Sequence, residues 1–443
     1  MQEYINKVNR KPFVRILRAI EKKDLLDTTS INADYLNLET VKFVPASGAA
    51  TRMFSHLYEF LDSSLKTKAV SLFLENIDKF AFYNDIKEEV KHLNDLELIE
   101  YILKSGLHLG ELPKALIKMH KYDNFTATPI DEHIFEAKEY LNKTDARIHF
   151  TISPEHEHKF NEYLKHALIG NEHIKIDYSF QDKKTDAMAL DKNNNPFTLE
   201  NGEILYRPAG HGALLQNLND INADLIFIKN IDNVCHRSHV EDTIISKKKL
   251  ASIGINLKAK IEKFIADLNN NSYNLKRIVK FINEVLKVDL KKEEIDKETA
   301  LKLLDRPLRV VGVVENTGEP GGGPFIVDDG KYISPQIVEM AEIDFDADGF
   351  VAISGEYFNP VDMVCFIKNY KGEKYNLEDY INHNRYIVVE KTHEGKTIKS
   401  LEYPGLWNGS MHYWNTVFVE LPISTFNPVK TVNDLLREKH RDI

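Results

Sequence analysis

The residues best placed to do chemistry in this chain join small or turn-forming neighbours to a cation, a carboxylate or an imidazole. The first group is Pro45-Ala-Ser-Gly-Ala-Ala-Thr-Arg-Met53, which follows the apolar run Val41-Lys-Phe-Val44. After it, Phe54, Leu57, Tyr58 and Leu61 recur at helical spacing. Strand, small-residue turn and helix open many nucleotide-binding α/β units. Ala46, Ser47, Gly48, Ala49, Ala50 and Thr51 would let the backbone approach a phosphate at the helix start, with Arg52 as a fixed cation. No Gly-Lys-Ser/Thr follows, so the loop is not a P-loop, and an ordinary strand-to-helix connection is the plainer reading. Lys114, beside the turn-forming Pro113, is either a mobile charge for a triphosphate or a surface lysine.

Three further groups bear on substrate and metal. In Leu205-Tyr-Arg-Pro-Ala-Gly-His-Gly-Ala-Leu214, Gly210 and Gly212 free the backbone to close over a ligand and present His211; a tight surface turn is the alternative. Ile226-Phe-Ile-Lys-Asn-Ile-Asp-Asn233 places Asp232 at the carboxyl end of an apolar strand, where α/β sheets bind ligands. A carboxylate there suits Mg²⁺, which takes oxygen donors and shares them with substrate phosphates. The same residues would also serve as an Asx turn. Cys235, His236 and His239 hint at a transition metal, but one thiol without further spaced ligands argues against it. Glu315-Asn-Thr-Gly-Glu-Pro-Gly-Gly-Gly-Pro324 is costly in chain entropy unless close backbone approach is needed. It is read as a substrate loop contributing Glu315, Asn316, Thr317, Gly318 and Gly322.

The elements that must position these groups are legible in outline. Buried-strand candidates are Ile148–Ile152, Leu225–Ile228, Leu308–Val314, Met363–Ile367, Tyr386–Val389 and Thr416–Val419. Their alternation with helical stretches implies a mostly parallel sheet covered on both faces. Residues 246–304 are rich in lysine and glutamate with apolar stripes at helical spacing, and read as an inserted pair of amphipathic helices broken at Asn269-Asn-Asn-Ser272. The 443 residues carry 68 acidic and 58 basic side chains, a net charge of −10, which argues against a nucleic-acid protein. No window approaches the ~20 apolar residues of a membrane helix, and no secretory signal opens the chain. With only two cysteines a disulfide framework is excluded, so a cytoplasmic location is expected.

Taken in order, these segments resemble the nucleotidyltransferases that make UDP-sugars, above all the eukaryotic-type UDP-glucose and UDP-N-acetylhexosamine pyrophosphorylases. Gly48, Thr51, Arg52 and Met53 are similar to their signature loop, and Pro113-Lys114 to the Pro-Lys that follows it. Pro208-Ala-Gly-His-Gly212 resembles their Pro-Pro-Gly-His-Gly, and Asn230-Ile-Asp-Asn233 their Asn-x-Asp-Asn, whose aspartate holds the metal. Val338-Glu-Met-Ala-Glu-Ile343 looks like a Val-Glu-Tyr-Ser-Glu-Ile beside the sugar. Phe358-Asn-Pro-Val-Asp362 resembles a Phe-Asn-x-Asn-Asn near the metal, and Phe426-Asn-Pro-Val-Lys430 a Phe-x-Pro-Val-Lys whose lysine contacts phosphate. The chain also resembles a bacterial family described only as a domain of unknown function.

The resemblance implies a GT-A, Rossmann-like nucleotide-diphospho-sugar transferase: a mixed α/β sheet flanked by helices. It divides the chain into an N-terminal helical segment (1–40), a nucleotide-binding half (41–245), a helical insertion (246–305), and a sugar-phosphate-binding half with the C-terminal segment (306–443). The implied partners are a nucleoside triphosphate, UTP before others, and a sugar 1-phosphate, with Mg²⁺ as cofactor and no nucleic acid or membrane. Arg52, Lys114 and Lys430 would handle phosphates, with Gln181 reading the base near His211. Asn230, Glu339 and Asn359 would touch the sugar, and Asp232 and Asp362 the metal. Three departures stand out: Ala49 and Ala50 replace expected glycines, and Ala213 replaces an expected acid. They favour, as alternatives, a catalytically silent sugar-nucleotide sensor; a GT-A glycosyltransferase is the rival within the fold. The sugar, the base and the oligomeric state are not written in the sequence.

Overall fold

The computed structural model describes residues 1–443 except 11, 28–30, 49, 142–145, 291–293, 319–321, 394 and 443, and the side chains of 350, 352 and 353. The chain forms two compact units. Unit 1 comprises Met1–Glu39, Gln181–Phe227 and Lys249–Leu421; unit 2 comprises Thr40–Phe180, Ile228–Lys248 and Pro422–Ile443.

Unit 2 contains three parallel strands, Thr40–Pro45, Ala146–Ile152 and Ile174–Phe180, in that order. Parallel neighbours need crossovers, and helices Pro129–Tyr140 and Glu157–Ala167 supply them. The first of these starts where the sequence dictates: Thr128 and Asp131 form a capping box and Pro129 fills the first turn. Its Ile130, Ile134, Ala137 and Tyr140 are buried. On one sheet face Phe150 meets Phe160 edge-on at 5.4 Å. On the other, Phe43 stacks on His149, whose ring bridges Asp177 and Ser179 on the next strand. Beneath this sheet Glu136 accepts from Lys42 at 2.9 Å and Lys229 at 2.7 Å, all three fully buried or nearly so.

The stretch between the small-residue loop and Lys114 is helical, as expected, in short pieces including Ser55–Ser63, Lys68–Glu75 and Asp95–Glu100. They enclose an aromatic core of Phe54, Phe60, Phe73, Phe80 and Phe82, which Val432 and Leu435 from the C-terminal segment complete.

Unit 1 departs from the parallel expectation. Its strand Leu308–Glu315 pairs parallel with Asn415–Glu420 but antiparallel with Asp362–Phe366 and Tyr357–Phe358. The intervening chain forms no simple crossover. Part of it, Gly323–Asp328 and Tyr332–Val338, forms the middle of a separate antiparallel sheet in the order Arg15–Ala19, Gly323–Asp328, Tyr332–Val338, Asp289–Leu290. The N-terminal forty residues, expected to be helical, hold one α-helix, Gln2–Asn9, and then that Arg15–Ala19 strand. Ile16 is the cause: it is buried in an apolar cluster with Phe325 and Val327.

The lysine-rich region consists of helices Glu241–Asn269, Leu275–Glu284 and Lys297–Leu304, broken after Asn269 where Asn271 takes a positive φ of 53°. The first helix shares the core of the sheet in unit 1. A Cβ on Gly254 would lie 2.4 Å from the Phe366 ring. Deleting residues 250–300 behind a short linker is therefore expected to give insoluble protein. Recovery of a soluble, cooperatively unfolding deletion variant would show these helices to be dispensable. Among the described residues, no helix is long and apolar enough to cross a membrane.

Candidate functional site

Unit 2 gathers the proposed phosphate ligands around one carboxylate. Lys114 Nζ donates to Asp232 Oδ2 at 3.0 Å and to the Val429 carbonyl at 2.9 Å, and Lys430 Nζ reaches the same Oδ2 at 3.2 Å. Asp232 is 7% exposed. Burial pushes its pKa up, but the two ammonium groups outweigh this and hold the carboxyl below its usual range, so it stays ionised.

Backbone contacts set this arrangement. Ile231 N–H donates to the Pro45 carbonyl, tying the Asp232 turn to the end of the first strand. Asn233 Oδ1 accepts from Asn427 N–H, and Val429 N–H donates to the Asp232 carbonyl, seating residues 427–429 beside the turn. Asp434 Oδ2 then accepts from the N–H groups of Lys430 and Thr431 at 2.8 and 2.7 Å, which fixes where Lys430 leaves the backbone. Lys114 N–H donates to the Gly48 carbonyl at 3.3 Å, so the distant Pro113-Lys114 returns to the small-residue loop.

That loop divides by exposure. Gly48, Thr51 and Arg52 are exposed and Ser47 is half-buried. No carboxylate among the described residues pairs with Arg52. Ala46 and Ala50 are both buried, their N–H groups donate to the Thr151 and Leu112 carbonyls, and the Ala50 methyl lies in the aromatic core. They shape the loop and offer no free donor. Ala49 lies outside the described residues.

In unit 1, His211 is held from both sides. Leu406 N–H donates to Nδ1 at 2.9 Å, which leaves the proton on Nε2 to donate to Glu339 at 2.9 Å. Burial pushes the Glu339 carboxyl up, and the bond from His211 outweighs it and holds it below the usual range. Trp407 stacks on the His211 ring at 4.1 Å. Gly212 is required by close approach, because a Cβ would lie 2.1 Å from the Pro404 carbonyl oxygen. Gly210 has a φ of 76° and packs against Glu402. Ala213 is buried and presents nothing to solvent.

The remaining candidate residues lie in unit 1, apart from Asn230. Gly322 accepts from Asn359 N–H at 3.0 Å and lies against Glu339, so these three do come together. Asn316 donates to the Gly355 carbonyl and accepts from Gly318 N–H, an internal turn, while Glu315, Thr317 and Gly318 are exposed. Gln181 donates to Thr185 at 3.4 Å. Asp362 is fully buried at the start of its strand. Asn230, in unit 2, is half-buried and closes the turn by accepting from Asn233 N–H.

Sequence reading missed Trp407 and the buried Arg385. Arg385 donates to both Glu342 oxygens, and Glu342 Oε2 also accepts from Asn408, which fixes the 404–412 loop beneath Trp407. The Pro404-Gly405 turn next to one of only two tryptophans was the available signal. Among the described residues no three His, Cys, Asp or Glu side chains converge as a metal set, and burial pushes the Cys235 thiol up to about 12.

The model of the family described as Domain of unknown function (DUF4301) matches residues 13–441. The chain belongs to this family. No protein with a curated description matches its sequence. Among solved structures, this DUF4301 chain is similar to a UDP-glucose phosphorylase from Trypanosoma brucei, at 15% identity and a TM-score of 0.51, covering 98% of this chain and 73% of that one. Two mutants of UDP-glucose pyrophosphorylase from Leishmania major also match. One is 14% and the other, in complex with UDP-glucose, 13% identical; each has a TM-score of 0.49 with the same coverage, 98% and 73%. The trypanosome structure shows the fold: this DUF4301 chain has the mixed α/β nucleotidyltransferase architecture that its motifs imply.

Proposed function

We propose that the chain joins a sugar 1-phosphate to a nucleoside triphosphate, UTP before others, and releases pyrophosphate. The observation that carries this reading is the meeting of Lys114 and Lys430 on one oxygen of Asp232, from 118 and 198 residues away in sequence. In the reaction a phosphate oxygen of the sugar 1-phosphate attacks the α-phosphorus in line. The bond from that phosphorus to the α–β bridging oxygen breaks, and pyrophosphate leaves with the electron pair. No covalent nucleophile is needed, so the protein contributes positioning and charge neutralisation.

With no substrate, the two ammonium groups neutralise Asp232. A triphosphate offers them stronger anions, and Lys114 and Arg52 turn to it while Lys430 takes the sugar-bound phosphate. The exposed Gly48 and Thr51 leave room for phosphates at the loop. An ionised carboxylate on a strand-end turn fits Mg²⁺, which favours such oxygen donors. Asp232 would hold the ion, and the ion would neutralise charge on the α-phosphate and the attacking phosphate. Asp362, fully buried, is proposed as a second carboxylate for the ion. Glu339, Asn359 and Gly322 are proposed for the sugar, and Gln181 and the fixed His211 for the nucleobase.

Ala50 and Ala213, which with Ala49 suggest a silent sensor, are buried, and pyrophosphate release separates that reading from an enzyme. A glycosyltransferase would have no use for Lys430 beside the metal carboxylate. Pyrophosphate release, measured for a panel of sugar 1-phosphates against the four nucleoside triphosphates, tests the proposal. Absence of release with every pair would overturn it.

Lys430 gives a graded test. A charge-assisted bond to phosphate contributes roughly 1.5–3 kcal/mol, so Lys430→Ala is expected to lower turnover by about one to two powers of ten. Lys430→Arg should restore only part, because a planar fork replaces a compact ammonium poorly. The Lys430 side chain is 62% exposed, so neither change threatens the fold. Unchanged steady-state kinetics in the pyrophosphorolysis direction would mark it as a surface lysine.

A further inference from the structure

We propose that unit 1 carries a second small-molecule site, a tyrosine-lined cleft that binds a phosphorylated ring compound. The cleft has a volume of about 630 Å³, within the range of pockets that hold small ligands. Its walls include Tyr332, Tyr370, Tyr380 and Tyr413, with Arg306 and Lys331 beside them. It is separate from the residues proposed above for sugar and base. Tyr332 opens the seven-residue strand Tyr332–Val338 and Glu339 follows its far end. At about 3.3 Å per residue these lie roughly 20 Å apart.

The charges in the cleft are unevenly matched. The Arg306 guanidinium and the Lys331 ammonium each lie 5.0 Å from the centre of the Tyr332 ring. Arg306 is steadied by its Nε, which donates to the Lys302 carbonyl at 2.9 Å in the last turn of helix Lys297–Leu304. Among the described residues, no carboxylate forms an ion pair with Arg306 or Lys331. The two acids of the cleft accept from neutral groups, Asp305 from the Tyr375 hydroxyl at 2.6 Å and Asp379 from Asn376 Nδ2 at 3.1 Å. Neither is bonded to Arg306 or Lys331, which keep donors for an anion.

Aromatic faces next to uncommitted cations define the ligand chemistry. Tyr332 and Tyr413, edge-to-face at 6.0 Å, offer ring surface for a nucleobase or the C–H face of a pyranose. Arg306 and Lys331 offer donors to a phosphate attached to that ring. A nucleoside monophosphate and a hexose phosphate share this chemistry, and the experiment separates them. The site does not depend on nucleotidyl transfer being the reaction.

The test is calorimetric titration of the full chain with uridine 5′-monophosphate, with glucose 6-phosphate, and with inorganic phosphate alone. Each is run on the parent protein, on Lys430→Ala, and on Arg306→Gln and Lys331→Gln. Lys331 is exposed, so its change cannot be confused with misfolding. One ring phosphate is expected to bind in both the parent and Lys430→Ala, and to weaken about tenfold in each cleft variant, the loss of one charge-assisted bond. The probe that binds identifies the ring. The proposal is overturned if no ring phosphate binds, if binding is lost in Lys430→Ala but kept in the cleft variants, or if inorganic phosphate binds as tightly as the ring compounds.

Discussion

Asp232→Asn is expected to lower metal-dependent turnover by about two to three powers of ten while leaving the protein folded. The size follows from losing one electrostatic contributor to the transition state, about 2.7–4 kcal/mol, at about 1.4 kcal/mol per power of ten. The amide keeps the shape of the carboxylate, and Lys430, being largely exposed, can turn its charge to water. Lys114 is less free, with only 15% of its side chain exposed, so a modest fall in stability accompanies the change. Steady-state pyrophosphorolysis with Mg²⁺ and a thermal melt decide the matter together. Near-parent activity in a folded variant would remove Asp232 from the reaction.

The second large effect is on stability. Glu136 accepts from both Lys42 and Lys229 beneath the parallel strands. Glu136→Gln leaves both ammonium groups facing a neutral amide and is expected to destabilise unit 2 by about 3–5 kcal/mol. Lys42→Met should cost far less, because Lys229 still pairs with Glu136. The same cluster predicts a pH dependence. Burial, with Lys229 and Lys247 adding repulsion, outweighs the attraction of Glu136 and pushes the Lys42 ammonium down to about 7. The unfolded chain then binds more protons than the folded one between about pH 7 and the ordinary lysine value near 10.4, so stability should rise with pH across that window. Glu136 works at the other end: its pKa is lowered, so its contribution holds above the ordinary glutamate range and is lost as acid protonates it. Urea midpoints from pH 7 to 10 should slope upward in the parent and flatten in Lys42→Met. An equal slope in both would show that another group titrates.

The chain's local signals were readable because each has a local cause. Pro129 after Thr128 starts a helix, Asn271 ends one, and Asp232 follows an apolar strand in any context. The convergence of Lys114 and Lys430 on Asp232 was accessible only through resemblance, since nothing local draws together residues so far apart. What sequence concealed was tertiary. Ala50 shows why the loop is hard to read: small residues suit both close approach to a ligand and close packing, and its methyl lies in the aromatic core. The Arg15–Ala19 strand was hidden because its partner Gly323–Asp328 is 300 residues away. Trp407 gave no warning that Arg385 and Glu342 would fix its loop.

Lys430 and the backbone that seats it are made long after Lys114, which meets the same carboxylate. Val432 and Leu435 also close the aromatic core around Phe54 and Phe73. A nascent chain still lacking them holds Asp232 and Lys114 without their partner and leaves that core open. Folding of unit 2 during translation is therefore held back until these residues emerge from the ribosome. A chain stalled before them would expose that core and be a target for chaperones or proteases.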